Sequence, residues 1–505
     1  MIDSSLFQNE TVKKILEKYH DLWAIHYVGA VAYWDTETYM PEGAIKERSI
    51  AFGKLAVLTQ RMLLHPEFVD LVEKASKIEN LNDYERGVVR TLKRSIDKLK
   101  KLPPEFVEEF SKTTNQARVA WRQAKEKNDY NLFAPYLEKI IELSRRKAEY
   151  YGYEEHPYDA LLDDYEEGLL TREVEELFSK LKPQVIDILR KIMNSSEFLE
   201  KHPLESEKYE KDKMHQLNLE IMKEFGFPFE NGRLDISAHP FTIGIGIKDV
   251  RITSRYEGFD FKRSLLATIH EFGHATYELQ IDEKLMGTPV ADGASMGVHE
   301  SQSRFWENMI GRSLTFVETY YELFKKYLPY LDKYDTWEIY RYLNLVRPEL
   351  IRVEADEVTY NLHIVLRFEM EKMFMEEQVE VKELPQLWEN KMEEYLGIRP
   401  KNYAEGILQD IHWSQGSIGY FPTYTLGTIL AVQIAKHMEK DIGPISEHVR
   451  NRNYKEIKDW LREKIHKWGS IYPPKELIMK AIGEPVKVEP FVEHLKQKYG
   501  EIYKI

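Results

Sequence analysis

The sequence predicts a mainly α-helical body carrying one small antiparallel sheet, and three observations lead there. Apolar residues recur three and four apart through most of the 505 positions, which is the helical period. Between residues 229 and 256 the period changes to two: Ile243, Ile245 and Ile247 alternate with Thr and Gly, and Val250 and Ile252 follow in the same rhythm. The breakers are prolines and glycines set between helical stretches, with no low-complexity linker and no internal repeat. A single domain over residues 1–505 is therefore expected, in one or two helical lobes.

Composition narrows the functional classes. Hydrophobic residues make up 43% of the chain and charged residues 31%, the balance of a soluble protein with a heavily charged surface. The formal net charge is −14, from 71 Lys and Arg against 85 Asp and Glu. Phosphate binding needs a basic face, so nucleic acid is not an expected partner. No apolar run approaches the ~18 residues of a membrane helix. The first ten residues lack the basic-then-apolar pattern of a secretion signal, so no membrane association is expected. The absence of cysteine excludes disulfides and fits a cytoplasmic protein. Combined with abundant Lys and Glu, it also fits a thermostable one.

Taken in order, residues 10–60 are helical with a break at Tyr39-Met40-Pro41-Glu42-Gly43. Trp34 and Asp35, just before that break, read as a core aromatic and a helix-end polar group. Residues 66–128 carry Val69, Leu71, Val72 and Ile78 among many Lys and Glu, the pattern of amphipathic helices with solvated outer faces. Pro103-Pro104 divides two of them, and Gly168 reads as a helix stop. Leu170–Met193 and Met214–Phe225 return to helical spacing. Asn231-Gly232 is a hairpin signal and opens the predicted sheet, whose edge can hold an extended peptide by its backbone. Beyond it the chain is helical to the end, with breaks at Pro348, Pro385, Pro400, Pro422 and Pro473-Pro474.

The chemistry concentrates in Thr268-Ile269-His270-Glu271-Phe272-Gly273-His274-Ala275-Thr276. Asp260 is the expected N-cap of its helix, and Leu265, Leu266, Ile269, Phe272 and Leu279 fall at helical spacing. On a helix His270 and His274, four apart, project from one face and can bind one metal. Glu271 sits one step round, within reach of a water at the metal without being a ligand. A chain of this composition would show the pattern by chance about 0.05 times. Gly273 costs about 1 kcal/mol in a helix relative to alanine, which makes sense if another backbone approaches there. A structural zinc site usually leans on cysteine, so a zinc hydrolase is the better reading. A third ligand is needed. Glu300, 26 residues after His274, stands at the distance of a helix, a turn and a return helix, though an acid so placed is weak evidence by itself.

Several further stretches make the sequence recognisable. They are His239-Pro240-Phe241, Asp249-Val250-Arg251-Ile252-Thr253, His299-Glu300-Ser301-Gln302, Ile351-Arg352-Val353-Glu354-Ala355-Asp356 and Gly406-Ile407-Leu408-Gln409-Asp410-Ile411-His412-Trp413. With the metal motif, and with Trp34-Asp35 and Met40-Pro41 upstream, the chain resembles the carboxypeptidase Taq family of zinc metallocarboxypeptidases over most of its length. The resemblance implies zinc ligands His270, His274 and Glu300, with Glu271 as general base. It also implies a helical fold with a deep groove, a homodimer and peptide substrates with a free C-terminus. Cobalt or another divalent ion can occupy such a ligand set.

Other roles follow from what the reaction needs. A tetrahedral intermediate needs donors at its oxyanion, and His412, Tyr420 and Tyr424 lie on one glycine-containing segment, as in related helical zinc peptidases. Tyr424 is the favoured donor. An exopeptidase must also grip a terminal carboxylate, which Arg does with a fork of N–H groups. Arg352 and Arg251 are the candidates, with Arg347 in reserve. His239 is associated through the resemblance with the substrate end of the groove, and Glu307 or Asp356 can orient a ligand histidine. The rival readings are an oligoendopeptidase of related helical fold and a non-catalytic helical protein that keeps a metal. Retention of Glu271 argues against the second, because a purely structural metal has no use for a general base.

Overall fold

A computed structural model describes residues 3–505. Helices end where the breakers stand. Glu10–Thr38 begins at Asn9, whose Oδ1 accepts from the Thr11 and Val12 amides, and it stops before the turn that contains Pro41. Asp83–Lys101 and Pro104–Lys127 meet at the paired prolines. Pro104, Pro385 and Pro474 all occupy the first turn of a helix, where a missing N–H leaves no bond unmade. No described helix is long and apolar enough to cross a membrane.

The chain divides into two compact units. The first comprises the described residues through Lys100, His202–Leu343 and Ile434–Pro485. It contains the sheet and the helix Phe261–Leu279, which carries the His-Glu-x-x-His motif. Behind that helix lies an aromatic core. Phe225 sits 4.5 Å from the Tyr454 ring and 5.2 Å from Trp306, and Phe272 meets Trp306 edge-on at 4.7 Å. All four are buried, each contributing about 1.5–3 kcal/mol of apolar transfer, which fixes the back of the helix while His270 and His274 face away.

The second unit comprises Lys101–Lys201, Asn344–Gln433 and Val486–Ile505, and its described elements are helical. Its C-terminal helix Glu489–Tyr503 is tied in by the buried Glu357, which receives His494 at 2.9 Å, Lys498 at 2.7 Å and the Tyr499 hydroxyl at 2.8 Å.

Three sequence expectations are corrected in the first unit. The sheet is mixed, not antiparallel throughout. Strands β1 (Gly232–Ile236), β2 (Thr242–Gly246) and β3 (Asp249–Ser254) lie in the order β1-β3-β2, with β1 parallel and β2 antiparallel to β3. The hairpin joins β2 to β3, and Asn231-Gly232 is not its turn. The Asn231 amide closes a turn on Pro228, and Gly232 is required because a Cβ there would lie 2.4 Å from the Val250 carbonyl oxygen. That glycine signals close approach within the sheet. Finally, Asp260 stands at the head of the motif helix in a left-handed conformation (φ 51°) and makes no side-chain cap. Its carboxylate instead accepts from the Tyr342 hydroxyl and Arg263.

Candidate active site

The motif helix and the helix Met296–Arg304 are held in direct backbone contact by Gly273. A Cβ there would lie 2.5 Å from the Gln302 carbonyl oxygen and 2.6 Å from the Ser303 Cα. The approach expected from this glycine is therefore that of the return helix, and it brings Glu300 to face the two histidines. Glu300 Oε2 lies 3.6 Å from His270 Nε2 and 3.5 Å from His274 Nε2. The three ligand atoms all fall within 4.8 Å of one another. Tetrahedral zinc with bonds near 2 Å would separate neighbouring ligand atoms by about 3.3 Å, so the set fits such an ion with small adjustments.

Each ligand is oriented from behind. His270 Nδ1 meets Glu307 Oε2 at 2.9 Å, which leaves Nε2 facing the centre. Glu307 is itself pinned by Arg304 at 3.1 Å and Arg312 at 2.9 Å. Glu300, Arg304 and Glu307 share one face at i, i+4 and i+7, and the run Phe305–Gly311 that carries Glu307 is wound as a π-helix, a feature common at functional sites. Arg304 also donates to Glu300 Oε1 at 2.7 Å. His274 is supported differently. Its Nδ1 lies 2.6 Å from His299 Nδ1, and His299 Nε2 lies 2.6 Å from Glu278. Burial works against charge on His299, while Glu278 and Asp292 raise it above its ordinary value; in its neutral form, donating Nε2–H to Glu278, it offers Nδ1 as acceptor. His274 then donates from Nδ1 and keeps the Nε2 lone pair for a metal.

The electrostatics suit a positive charge at this centre, whether an ion or a protonated imidazole. Burial holds His274 neutral, pushing it down to about 3. For His270 burial works the same way, but Glu300 and Glu307 outweigh it and raise the imidazole above its ordinary value. Burial would raise Glu300, yet Arg304 and both histidines hold its carboxyl well below the usual range. Glu271, beside the ligands and outside the set, is pushed up by burial, partly offset by His270 and Thr242. The Thr242 hydroxyl at the head of edge strand β2 lies 2.7 Å from Glu271 Oε2, so the strand orients the carboxylate.

The second unit gathers four more of the predicted residues. Arg352 directs Nε and Nη2 at Asp410, 3.0 and 2.9 Å away, and Nη1 at the Tyr360 hydroxyl. Its guanidinium lies over the Tyr424 ring at 5.1 Å. His412 Nε2 is 3.3 Å from the Tyr424 hydroxyl, and Tyr420 meets the Tyr424 ring at 5.2 Å. Burial pushes His412 down to about 4. Arg367, fully buried, also pairs with Asp410.

The remaining candidates lie elsewhere in their units. Arg251 is paired bidentately with Asp249 at 2.8 and 2.7 Å, and its guanidinium stacks on the buried Trp34 at 4.4 Å. The His239 side chain is exposed, at a turn whose carbonyl receives Ser237 Oγ. Arg347 pairs with Glu349, and Asp356 caps the turn at Val358 and Thr359 instead of meeting a histidine. Sequence reasoning gave no role to His299, Glu278, Arg304, Arg312, Arg367 or Glu371. For Glu278 a signal was present: it stands four residues after His274, on the same helical face.

Comparison with known proteins identifies the family. The carboxypeptidase Taq (M32) metallopeptidase profile matches residues 14–499. Thermostable carboxypeptidase 1 of Pyrococcus furiosus is 57% identical over 98% of this chain and 99% of its own. Carboxypeptidase 1 of Bacillus subtilis is 38% identical over 95% of this chain and 96% of its own. The solved structure of Pyrococcus furiosus carboxypeptidase superposes with a TM-score of 0.97 at 56% identity, covering 98% of this chain and all (100%) of that one. The M32 carboxypeptidase of Deinococcus radiodurans gives 0.95 at 32% identity, covering 98% of this chain and 100% of its own. The chain is a peptide hydrolase and belongs to the carboxypeptidase Taq (M32) metallopeptidase family.

Proposed function

We propose that this metallocarboxypeptidase removes single C-terminal residues from peptides with broad specificity, accepting proline and acidic termini poorly. The observation that carries the reading is Glu271, a buried carboxylate raised in pKa and held by Thr242 beside, but not within, the His270/His274/Glu300 set. Two imidazoles and one carboxylate suit zinc, with cobalt or another divalent ion as a substitute. Such an ion, when bound, polarises a carbonyl oxygen and lowers the pKa of water.

Glu271 takes the proton from the attacking water and returns it to the leaving amine, work for which a raised carboxylate is better matched than an ordinary one. Tyr424 donates to the developing oxyanion, with His412 and Tyr420 in support. Arg352 receives the substrate's terminal carboxylate, with Arg251 as the alternative. His239 borders the substrate end. A homodimeric, cytoplasmic and thermostable enzyme fits the family, the absence of cysteine and the name of the Pyrococcus relative.

The test is mass spectrometry of products from one peptide offered with a free and with an amidated C-terminus, zinc or cobalt being added. A ladder of single losses from the free end alone is expected. Internal cuts in both peptides would instead make this an oligoendopeptidase with the same metal site and no carboxylate clamp.

A further inference from the structure

We propose that Glu371 is the positioning residue for the segment carrying His412, Tyr420 and Tyr424, one buried carboxylate tying that loop at both ends. This rests on the reading of those three residues as chemically active. Glu371 projects from the helix Tyr360–Met375 and is fully buried. Its Oε1 accepts the Trp413 indole N–H at 2.7 Å. Its Oε2 accepts the Gly419 amide at 2.9 Å and the Tyr158 hydroxyl at 2.5 Å. Trp413 directly follows His412, and Gly419 directly precedes Tyr420. The two tethers therefore bracket the bend between the predicted active side chains.

The loop is packed closely on several sides. Gly416 has φ +73°, and a Cβ there would lie 2.6 Å from the Phe110 ring. Gly419 has φ +98°, and a Cβ would lie 2.8 Å from the Leu161 carbonyl. Trp413 is wedged edge-on against Phe374 at 5.0 Å and Trp388 at 5.9 Å. With the backbone pressed in on these sides, the two hydrogen bonds to Glu371 set how far the His412 and Tyr420 ends stand from the helix.

The chemistry explains why an acid stands here. Burial alone pushes this carboxyl up to about 7 despite its three donors, a cost that an apolar residue would avoid. An indole N–H and a backbone N–H can only donate, so both oxygens of the bridging group must accept. A carboxylate does so in either protonation state, because its proton can point at the Tyr158 oxygen, which accepts as well as donates. A glutamine cannot. Whichever way its amide is turned, the NH₂ faces either the Trp413 or the Gly419 N–H, and one end of the loop is released.

The test is steady-state kinetics on the metal-loaded enzyme for Glu371→Gln, His412→Ala and the double variant. Glu371→Gln should lower kcat about 10-fold or more, with KM moving less than about threefold and metal content unchanged. In the His412→Ala background the same change should cost clearly less than it does in the wild type, because one of the positioned groups is already gone while the Tyr420 end still depends on the tether. Wild-type kcat in Glu371→Gln while His412→Ala is impaired would overturn the positioning role and leave the reading of the loop standing. Full activity of both His412→Ala and Tyr424→Phe would overturn that reading instead, and the positioning role with it. A Glu371→Gln loss that multiplies with the His412→Ala loss would also overturn it, as a general structural effect. Should Glu371→Gln not fold, Trp413→Phe deletes one tether and keeps a ring, and must give the same fall in kcat with KM retained.

Discussion

Two buried charge clusters, one in each unit, differ in the sign of what they lack. Around the candidate metal ligands, four carboxylates, Glu271, Glu278, Glu300 and Glu307, face two guanidinium groups, Arg304 and Arg312, with His274 kept neutral and only the imidazoles of His270 and His299, both raised, left to make up the difference. In the second unit two guanidinium groups, Arg352 and Arg367, share the single carboxylate Asp410, and His412 is kept neutral. Glu371, which Arg367 also faces, is pushed up to about 7 by burial and does not fully supply the missing charge. Buried charge is tolerated only when it is compensated. The first cluster therefore suits a cation and the second an anion, and a metallocarboxypeptidase has one of each to bind: its metal and the terminal carboxylate of its substrate. Arg251 belongs to neither pattern, because Asp249 balances it and Trp34 covers it.

The largest effect is expected from Glu271→Gln, which asks whether this acid is a base or merely part of the negative surround. If it is the base, turnover should fall about a thousandfold while the metal stays bound. Metal content and kcat measured on one preparation decide the matter. Substantial turnover with metal retained would remove Glu271 from the mechanism.

Arg352→Ala comes next and probes the anionic side. Removing one of two arginines leaves Arg367 to balance Asp410, so the fold should tolerate the change. KM for peptides with a free carboxylate should rise by about 100-fold, the cost of leaving one buried charge without its partner. Amidated peptides should be nearly unaffected, and Arg251→Ala should change KM by less than about threefold on either. Equal losses on free and amidated peptides would refute the carboxylate role. A selective rise in Arg251→Ala would move that role to the first unit.

Much of this was legible in the sequence, for reasons that differ by element. The motif helix could be read because four-residue spacing maps directly onto one helical face. Gly273 could be read because a glycine inside a helix needs a reason, and the backbone at Gln302–Ser303 supplies it. Glu300 could be read only through the family resemblance, since one acid among many has no local signature. The sheet was found by its period of two, but its topology was not. Strand order depends on where the chain passes between residues 237 and 241, and Asn231-Gly232 marks a close contact in place of a hairpin turn. Asp260 looked like a cap because caps are judged by residue type, whereas its partner Tyr342 is distant in sequence. The relay through His299 escaped notice because a contact between two helices creates it, whereas Arg312, only five residues from Glu307, has no local signature that sets it apart from other arginines.

The smallest effects separate the two histidine supports within the metal cluster. His270 meets a carboxylate directly, and two arginines hold that carboxylate in place. His274 meets an imidazole first and a carboxylate only through it. A carboxylate in direct contact both orients the ring and strengthens its lone pair, whereas the relay mainly fixes the tautomer. Glu307→Gln should accordingly weaken metal binding by up to about 100-fold, and Glu278→Gln by about 10-fold. Competition with a chelator of known affinity, monitored by metal released, gives both values without recourse to activity. If Glu278→Gln is the more damaging, the relay through His299 does more than set a tautomer. The excess negative charge of this cluster then holds the metal mainly through its far carboxylate.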